Sequence, residues 1–325
     1  MKLTKMKLSL RLGFVLAFAL LCIGAVKILH ERILYSSPAA SNNANKNYAR
    51  LVELGTKAQD VYKLKNNINA EQTKIFVERR TEIIKELKEI LREEIVVYDE
   101  FRPNTYKEHG RDIFLHFKPL AALLRELGEQ SVQEKNTTLV FENACLLIDL
   151  GKAICYGGDM DDNEVSFAFR MQGTLILYKY FRTQPNDLEE SHSKFFSGLR
   201  DRIESVSVTV DRNPDASVSK AVREMLLETQ NNRNFVIYAC FDMCRIAFEL
   251  ELYKKSSGKY PEKLEEVKSL SSILIDPWQQ PYIYIPQENT YKLYSTGADQ
   301  IDNKGHTKKN GFYLQADGDI DMNEL

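Results

Sequence analysis

The histidines of this chain are the residues best suited to acid–base or metal chemistry, and all five are scattered along the sequence. No zinc-protease helix, nucleophile elbow, phosphate-binding loop or dinucleotide-binding glycine motif is present. Ser191–Ser193 is a polar segment without the signal of a catalytic triad. We therefore expect the protein not to be an enzyme. The histidines are His30, His109, His116, His192 and His306.

The segment Gly157–Glu164 has the acidic composition of a calcium-binding loop. An EF-hand loop opening at Asp159 would need glycine at its sixth position and glutamate at its twelfth, where this chain has Glu164 and Arg170. Asp and Asn side chains also suit the positive N-terminal end of a following helix. We predict a turn that caps the next helix.

The cysteines do not form a disulfide framework, because five are too few and no CxxC pair occurs. Cys240 and Cys244 are one helical turn apart, so both can face the same partner helix. Buried free thiols are the simpler interpretation. A bridge from this pair to Cys145 or Cys155 remains open in an oxidising compartment.

The overall composition is that of an ordinary globular protein, with 43% hydrophobic and 28% charged residues. A chain of 325 residues is long enough for two domains that each bury a core. The net charge of -2, without a basic face, argues against a nucleic-acid partner.

The N-terminal segment has the pattern of an uncleaved membrane anchor. Its apolar run, Leu12–Val26, has basic flanks, and Leu8–Leu34 spans a bilayer if Arg11 and Lys27 reach the interfaces. The basic leader predicts a single-pass protein of the bacterial inner membrane, with a cytoplasmic N-terminus and an extracytoplasmic or periplasmic bulk. A cleaved signal peptide is the alternative, although no good cleavage site follows the run.

The rest of the chain predicts an α+β protein built from separate regions. Residues 1–35 form the leader and anchor, and residues 36–48 form a polar linker. Residues 49–215 form an α-helical domain, and residues 216–325 form an α+β domain. Short polar turns in the helical domain favour antiparallel helical hairpins of a TPR-like kind, although no repeat of fixed period occurs.

The helical domain contains several amphipathic segments. A charged, solvated helix with one apolar stripe is expected to end at Pro103. Further helices are predicted over Ile113–Leu127, ending at Gly128, and over Thr138–Tyr156 and Val165–Tyr180.

The last helix carries a continuous apolar face from Val236 to Tyr253. Lys254 and Lys255 suit its C-terminal dipole, and Gly258 suits a left-handed cap.

Strand composition follows this helix. Tyr282–Ile285 and Thr290–Ser295 predict a hairpin that packs on the helix, and Phe312–Gln315 is a candidate third strand at its edge.

This C-terminal region resembles the globular domain of the major pseudopilin of type II secretion systems, the protein G family. The resemblance covers the last quarter of the chain and none of the helical middle. It implies a long helix packed on a small antiparallel sheet. The matching motifs are Leu252–Tyr253, Gly258–Pro261, Asp276–Tyr282, Tyr294–Asp299 and Asp317–Ile320.

In that family the tail folds around a calcium ion. Carried over by position, the resemblance implies ligands at Asp299, Asp317 and Asp319 and at the Thr296 carbonyl, with Asp302 as an alternative. Carboxylate and carbonyl oxygens are the ligands that calcium prefers. A solvated acidic turn without an ion is the other interpretation.

Two functions are compatible with these features. The first is a non-enzymatic, membrane-anchored scaffold that binds protein partners through its helical middle. The second is a pseudopilin-like component of a type II secretion or type IV pilus-like machine. Arg11–Phe14 matches the pseudopilin leader in outline, but Phe18 stands where that family has a glutamate. The long helical insert also favours the scaffold.

Overall fold

The structure is a computed structural model. It describes residues 42–64, 70–95, 112–155, 160–193, 195–196, 220–310, 313–314 and 318–324. The predicted anchor, Leu8–Leu34, lies outside these residues. Within them, no helix is both long enough and apolar enough to cross a bilayer.

The described chain is mostly helical with small antiparallel sheets, in agreement with the predicted α+β class. Its helices are α1 (Asn42–Leu64), α2 (Ala70–Ile90), α3 (Asp112–Gln133), α4 (Thr137–Cys155), α5 (Met160–Thr183) and α6 (Lys220–Ser257). Its strands are β1 (Ile283–Pro286), β2 (Tyr291–Tyr294), β3 (Lys309–Asn310) and β4 (Tyr313–Leu314).

Helices α1 and α2 pack together at the start of the described chain. Helix α1 begins at Asn42, inside the segment 36–48 that we expected to be a linker. Helix α2 ends at Ile90, well before Pro103, and its one apolar stripe is buried. An ion pair of 2.9 Å between Lys57 and Glu86 joins the two helices.

Helix α3 runs through Gly128 to Gln133, so the expectation that Gly128 ends the helix is wrong. A Cβ at Gly128 would lie 2.6 Å from Cδ1 of Ile176 in α5, which shows that this glycine allows close helix packing. The turn lies later, where Lys135 has a φ of 56°. The side chain of Asn136 then accepts the Leu139 N–H at 3.2 Å at the start of α4.

Glycines also bring α4 and α5 into close contact. A Cβ at Gly151 would lie 2.8 Å from the carbonyl oxygen of Ser166, and one at Gly173 would lie 2.6 Å from the carbonyl oxygen of Ala144. Helices α4 and α5 are therefore antiparallel. Helix α5 begins at Met160, so Asp161–Glu164 belong to its first turns and not to a loop.

The apolar face of α6 is fully buried from Val236 to Leu250, and α5 packs against this helix. The predicted stop is confirmed. Gly258 has a φ of 80°, and its N–H donates to the Lys254 carbonyl at 2.8 Å.

The predicted hairpin is confirmed as well, with Ile283 opposite Tyr294 and Pro286 opposite Tyr291. A strand forms at Tyr313–Leu314, but the prediction that it extends the hairpin is wrong. This strand, β4, pairs with β3 in a separate sheet. The tail returns to the hairpin through Ser295 and Ile320, which form an isolated antiparallel bridge.

Candidate metal centre

The loop after α6 is held by the carboxylate of Asp276, which is only 2% exposed. Its Oδ1 accepts the N–H groups of Trp278 at 3.0 Å and Gln280 at 2.8 Å. Its Oδ2 accepts the Ser295 hydroxyl at 2.5 Å. Between these partners, Gln279 has a φ of 67°, at the position where the pseudopilin pattern has glycine. Asp276 therefore ties the loop to the end of β2.

The indole of Trp278 fixes the same loop on α6. Its Nε1 donates to Asn232 Oδ1 at 3.2 Å, and its ring meets Phe235 edge-on at a centroid distance of 5.8 Å. The aromatic contact and the hydrogen bond together orient the loop relative to the helix.

The bridge between Ser295 and Ile320 places the segment that contains Asp319 beside the segment that contains Thr296. The Ser295 N–H donates to the Ile320 carbonyl at 3.2 Å, and the reverse bond measures 2.8 Å. Thr296 and Asp319 are the chain neighbours of this bridged pair, beyond the end of β2.

Thr296 and Asp319 both have a buried oxygen without a protein partner. Asp319 is fully buried, and its Oδ2 accepts the Gly305 N–H at 2.6 Å. Its Oδ1 and the Thr296 Oγ1 have no hydrogen-bond partner within the described part of the chain. Buried polar atoms are normally hydrogen-bonded, so these two oxygens are suited to a cation or another donor.

Asp299 and Asp302 are engaged in local contacts instead. Asp299 Oδ1 accepts the Ile301 N–H at 3.1 Å, and its Oδ2 lies 3.9 Å from Lys308 Nζ. Asp302 Oδ1 accepts the Lys304 N–H at 2.7 Å and the hydroxyl of Tyr294 at 3.0 Å.

The predicted ligands are therefore only partly brought together. Asp317 lies outside the described residues, and among those described no group of three His, Cys, Asp or Glu residues could hold a metal. Thr296 and Asp319 flank the bridge between Ser295 and Ile320, whereas Asp299 and Asp302 have other partners.

Asp321 is an acidic residue of this region that the sequence analysis missed. Its Oδ1 accepts both the backbone N–H and the side-chain amide of Asn323 at 2.9 Å. Burial raises the pKa of the Asp321 carboxyl, and these bonds oppose the rise. Asn323 in turn accepts the hydroxyl of Tyr178 in α5 at 3.0 Å, which connects the tail to the helices.

A second polar cluster, also missed, joins the helical region to the hairpin. Arg182 of α5 donates to Glu251 of α6 at 3.0 Å and to Thr290 of the hairpin turn at 2.9 Å. Its guanidinium lies 4.2 Å from the centre of the Tyr291 ring. Tyr260 completes the cluster, because its hydroxyl donates to Glu251 at 3.0 Å.

Burial shifts the pKa values of the residues in this cluster, which forms the junction between the helical region and the hairpin. It raises the pKa of Glu251, while Tyr260 and Arg182 oppose the rise. Burial and the nearby Glu251 raise the pKa of Tyr260 to about 12. For Arg182, burial lowers the pKa, but Tyr291, Tyr178 and Glu251 outweigh it, and the net shift is upward.

The lysines of the last turn of α6 complete the junction. Lys254 donates to the Asn289 carbonyl at 3.2 Å, and Lys255 donates to the Asn186 carbonyl at 3.0 Å. The cleft beside them is about 490 Å³. These contacts serve to join segments of the chain.

The described cysteines are free thiols, so the bridge from Cys240 or Cys244 to Cys145 or Cys155 is not formed. Burial raises the pKa of Cys240 and of Cys244. Protonated, buried thiols are poor nucleophiles, in keeping with a packing role.

Comparisons with models of protein families, with curated proteins and with solved structures find no match to this chain.

Proposed function

We propose that this protein is a non-enzymatic scaffold, anchored in the bacterial inner membrane by Leu8–Leu34, with a pseudopilin-like C-terminal unit on the extracytoplasmic side. The single observation that carries the proposal is that α5 covers the apolar face of α6. Its apolar face is buried, α5 packs against it, and the Arg182–Glu251 ion pair of 3.0 Å fastens the two helices.

The covering of α6 favours a scaffold over a filament subunit. In pseudopilins the membrane helix runs directly into the globular domain. Here α6 begins at Lys220, after five described helices. A subunit that used this face of α6 to contact its neighbours would first have to expose an apolar surface, which costs free energy. The helical region is therefore part of the folded unit.

Calcium at the tail belongs to the same proposal. Thr296 and Asp319 would supply its central oxygens, since each has a buried oxygen without a partner. Calcium takes six to eight oxygen ligands, so backbone carbonyls, Asp317 or water would complete the shell. The ion would neutralise Asp319 and hold the tail against the end of β2.

A pseudopilin-like component of a secretion or pilus machine is the second candidate. The ordered motifs favour it, and so does the positive φ of 67° at Gln279, since the family pattern has glycine there. Under this alternative the C-terminal unit, rather than the helical region, would contact other subunits.

Photo-crosslinking in native membranes separates the two candidates. A photoreactive residue replaces Ile75 or Val77, which are exposed apolar residues of α2, or Ile285 or Ile301, which are exposed on the C-terminal unit. Glu78, an exposed charged residue of α2, is the matched control position.

The scaffold predicts adducts with a different protein from Ile75 and Val77, and fewer from Glu78. Ladders of this chain or of related subunits, formed only from Ile285 and Ile301, would contradict the scaffold and favour the secretion machine.

A further inference from the structure

Arg170 is a charged residue in the middle of α5 that is completely buried. Its Nη2 donates to Asn234 Oδ1 of α6 at 3.2 Å. Its Nε and Nη1 have no hydrogen-bond partner among the residues that the structure describes. Among the described residues no carboxylate is paired with it, whereas Arg182 on the same helix is paired with Glu251.

A second unpartnered group lies beside Arg170. Ser166, one turn earlier on α5, is fully buried, and its hydroxyl has no partner. Residues four apart lie on the same face of a helix, so Ser166 and Arg170 are neighbours on one side of α5. Gly151 of α4 closes this side, because a Cβ there would lie 2.9 Å from Arg170 Cγ.

Among the described residues, those that interact electrostatically with Arg170 do not supply a fixed negative charge. Cys155 and Tyr238 lie near enough to interact electrostatically with Arg170, but a thiol and a phenol are ordinarily neutral near pH 7. Burial lowers the pKa of Arg170, yet a guanidinium remains protonated in proteins. An unpaired charge in such a place costs several kcal/mol, which an anion would offset.

We propose that Arg170 and Ser166 form a buried site for one small monovalent anion, with Asn234 orienting the guanidinium. The arginine N–H groups and the serine hydroxyl are donors, as an anion requires. The positive charge is single, so a dianion would leave one negative charge unmatched in the interior. The single charge and the complete burial of Arg170 and Ser166 favour a small ion such as chloride or acetate.

Thermal unfolding of the full chain at constant ionic strength tests the site. Chloride or acetate replaces gluconate stepwise, and phosphate serves as the dianion at a pH well above its second pKa. The wild type is expected to melt at a temperature that rises with chloride or acetate and then saturates, because an ion that binds only the folded state stabilises it. Equal melting temperatures in all these salts, or the largest rise with phosphate, would overturn the proposal.

Variants test whether the rise of the melting temperature with the anion depends on Arg170 and Ser166. Arg170→Met should abolish the anion dependence, and Arg170→Lys should retain it with a higher half-saturating concentration. Arg182→Met is the matched control, since it removes a partnered arginine of the same helix and should keep the dependence. If Arg170→Met does not fold, Ser166→Ala provides the test, with a half-saturating concentration raised severalfold. An unchanged concentration in Ser166→Ala, or an unchanged response in Arg170→Met, would contradict the site.

Discussion

Asp276 and Asp319 are two buried carboxylates of the same C-terminal unit, and they differ in how they are satisfied. Both oxygens of Asp276 accept hydrogen bonds from the protein. Asp319 has a partner on Oδ2 only. The first carboxylate can be stable in the folded chain alone, whereas the second calls for a further partner.

The difference assigns a structural role to Asp276 and leaves a binding role for Asp319. Asp276 and Asp319 both belong to segments that match the pseudopilin pattern. Sequence resemblance alone gives them equal weight, and only their hydrogen bonds tell them apart.

The largest expected effect is that of Asp276→Ala. It leaves the N–H groups of Trp278 and Gln280 and the hydroxyl of Ser295 without their acceptor, which we expect to cost about 3 to 5 kcal/mol of unfolding free energy. Urea denaturation measures the loss. Ser295→Ala removes one of these bonds and also the acceptor of the Gly297 N–H, so it should cost less than Asp276→Ala, about 2 kcal/mol. Equal losses in both variants would contradict the role of Asp276 as the centre of the turn.

Asp319→Asn addresses the other carboxylate. The wild type should melt at a higher temperature in calcium than in chelator, because calcium binds the folded tail. The variant should lose most of that difference, since it removes the negative charge next to the ion. Asp302→Asn is the control and should keep the difference, because Asp302 is engaged with Lys304 and Tyr294. A wild type that is insensitive to calcium would exclude Asp319 as a calcium ligand.

Glu251 is a third buried carboxylate, and its partner is the cation Arg182. Burial raises its pKa above the ordinary 4.5, so the folded state holds the proton more tightly than the unfolded state. The stability due to this proton is present below pH 4.5 and is lost as the pH rises through the folded-state pKa. Glu251→Gln, which cannot titrate, should therefore gain stability relative to the wild type between pH 4 and pH 7.

The melting temperatures of the wild type and Glu251→Gln across this pH range show whether the variant gains stability relative to the wild type as the pH rises. A difference that does not change with pH, or that changes in the opposite direction, would contradict the raised pKa.

The smallest expected effect is a gain of stability in the Asp276 turn. Gln279 has a φ of 67°, where a residue with a Cβ is strained, so Gln279→Gly should stabilise the protein by about 1 kcal/mol. Gln280→Gly, at an ordinary φ, should instead destabilise it by roughly 0.5 kcal/mol. Chemical denaturation of both variants compares the two positions.

The parts of the fold that were predicted correctly depend on local signals. The cap at Gly258 follows from glycine after a basic last turn, and the hairpin follows from two strands of β composition joined by a short turn. Gly128 was misassigned because a glycine that ends a helix and one that allows helix contact look alike in sequence. The pairing of β4 could not be predicted, since strand partners depend on non-local contacts.

The candidate site was predicted in composition but not in geometry. The segments of Thr296 and Asp319 lie side by side because Ser295 pairs with Ile320, a contact between distant segments. Arg170 and Glu251 were missed for a similar reason. Each is a charged residue within an apolar helix, which is a signal, but its partners depend on which helices touch.

The most direct test of the central claim is the intact mass of the protein isolated from its native membrane. A membrane-anchored scaffold predicts a chain that begins at Met1 and retains Leu8–Leu34. A mature chain that begins at Phe14 would mean that the leader is processed as in pseudopilins, and it would contradict the scaffold.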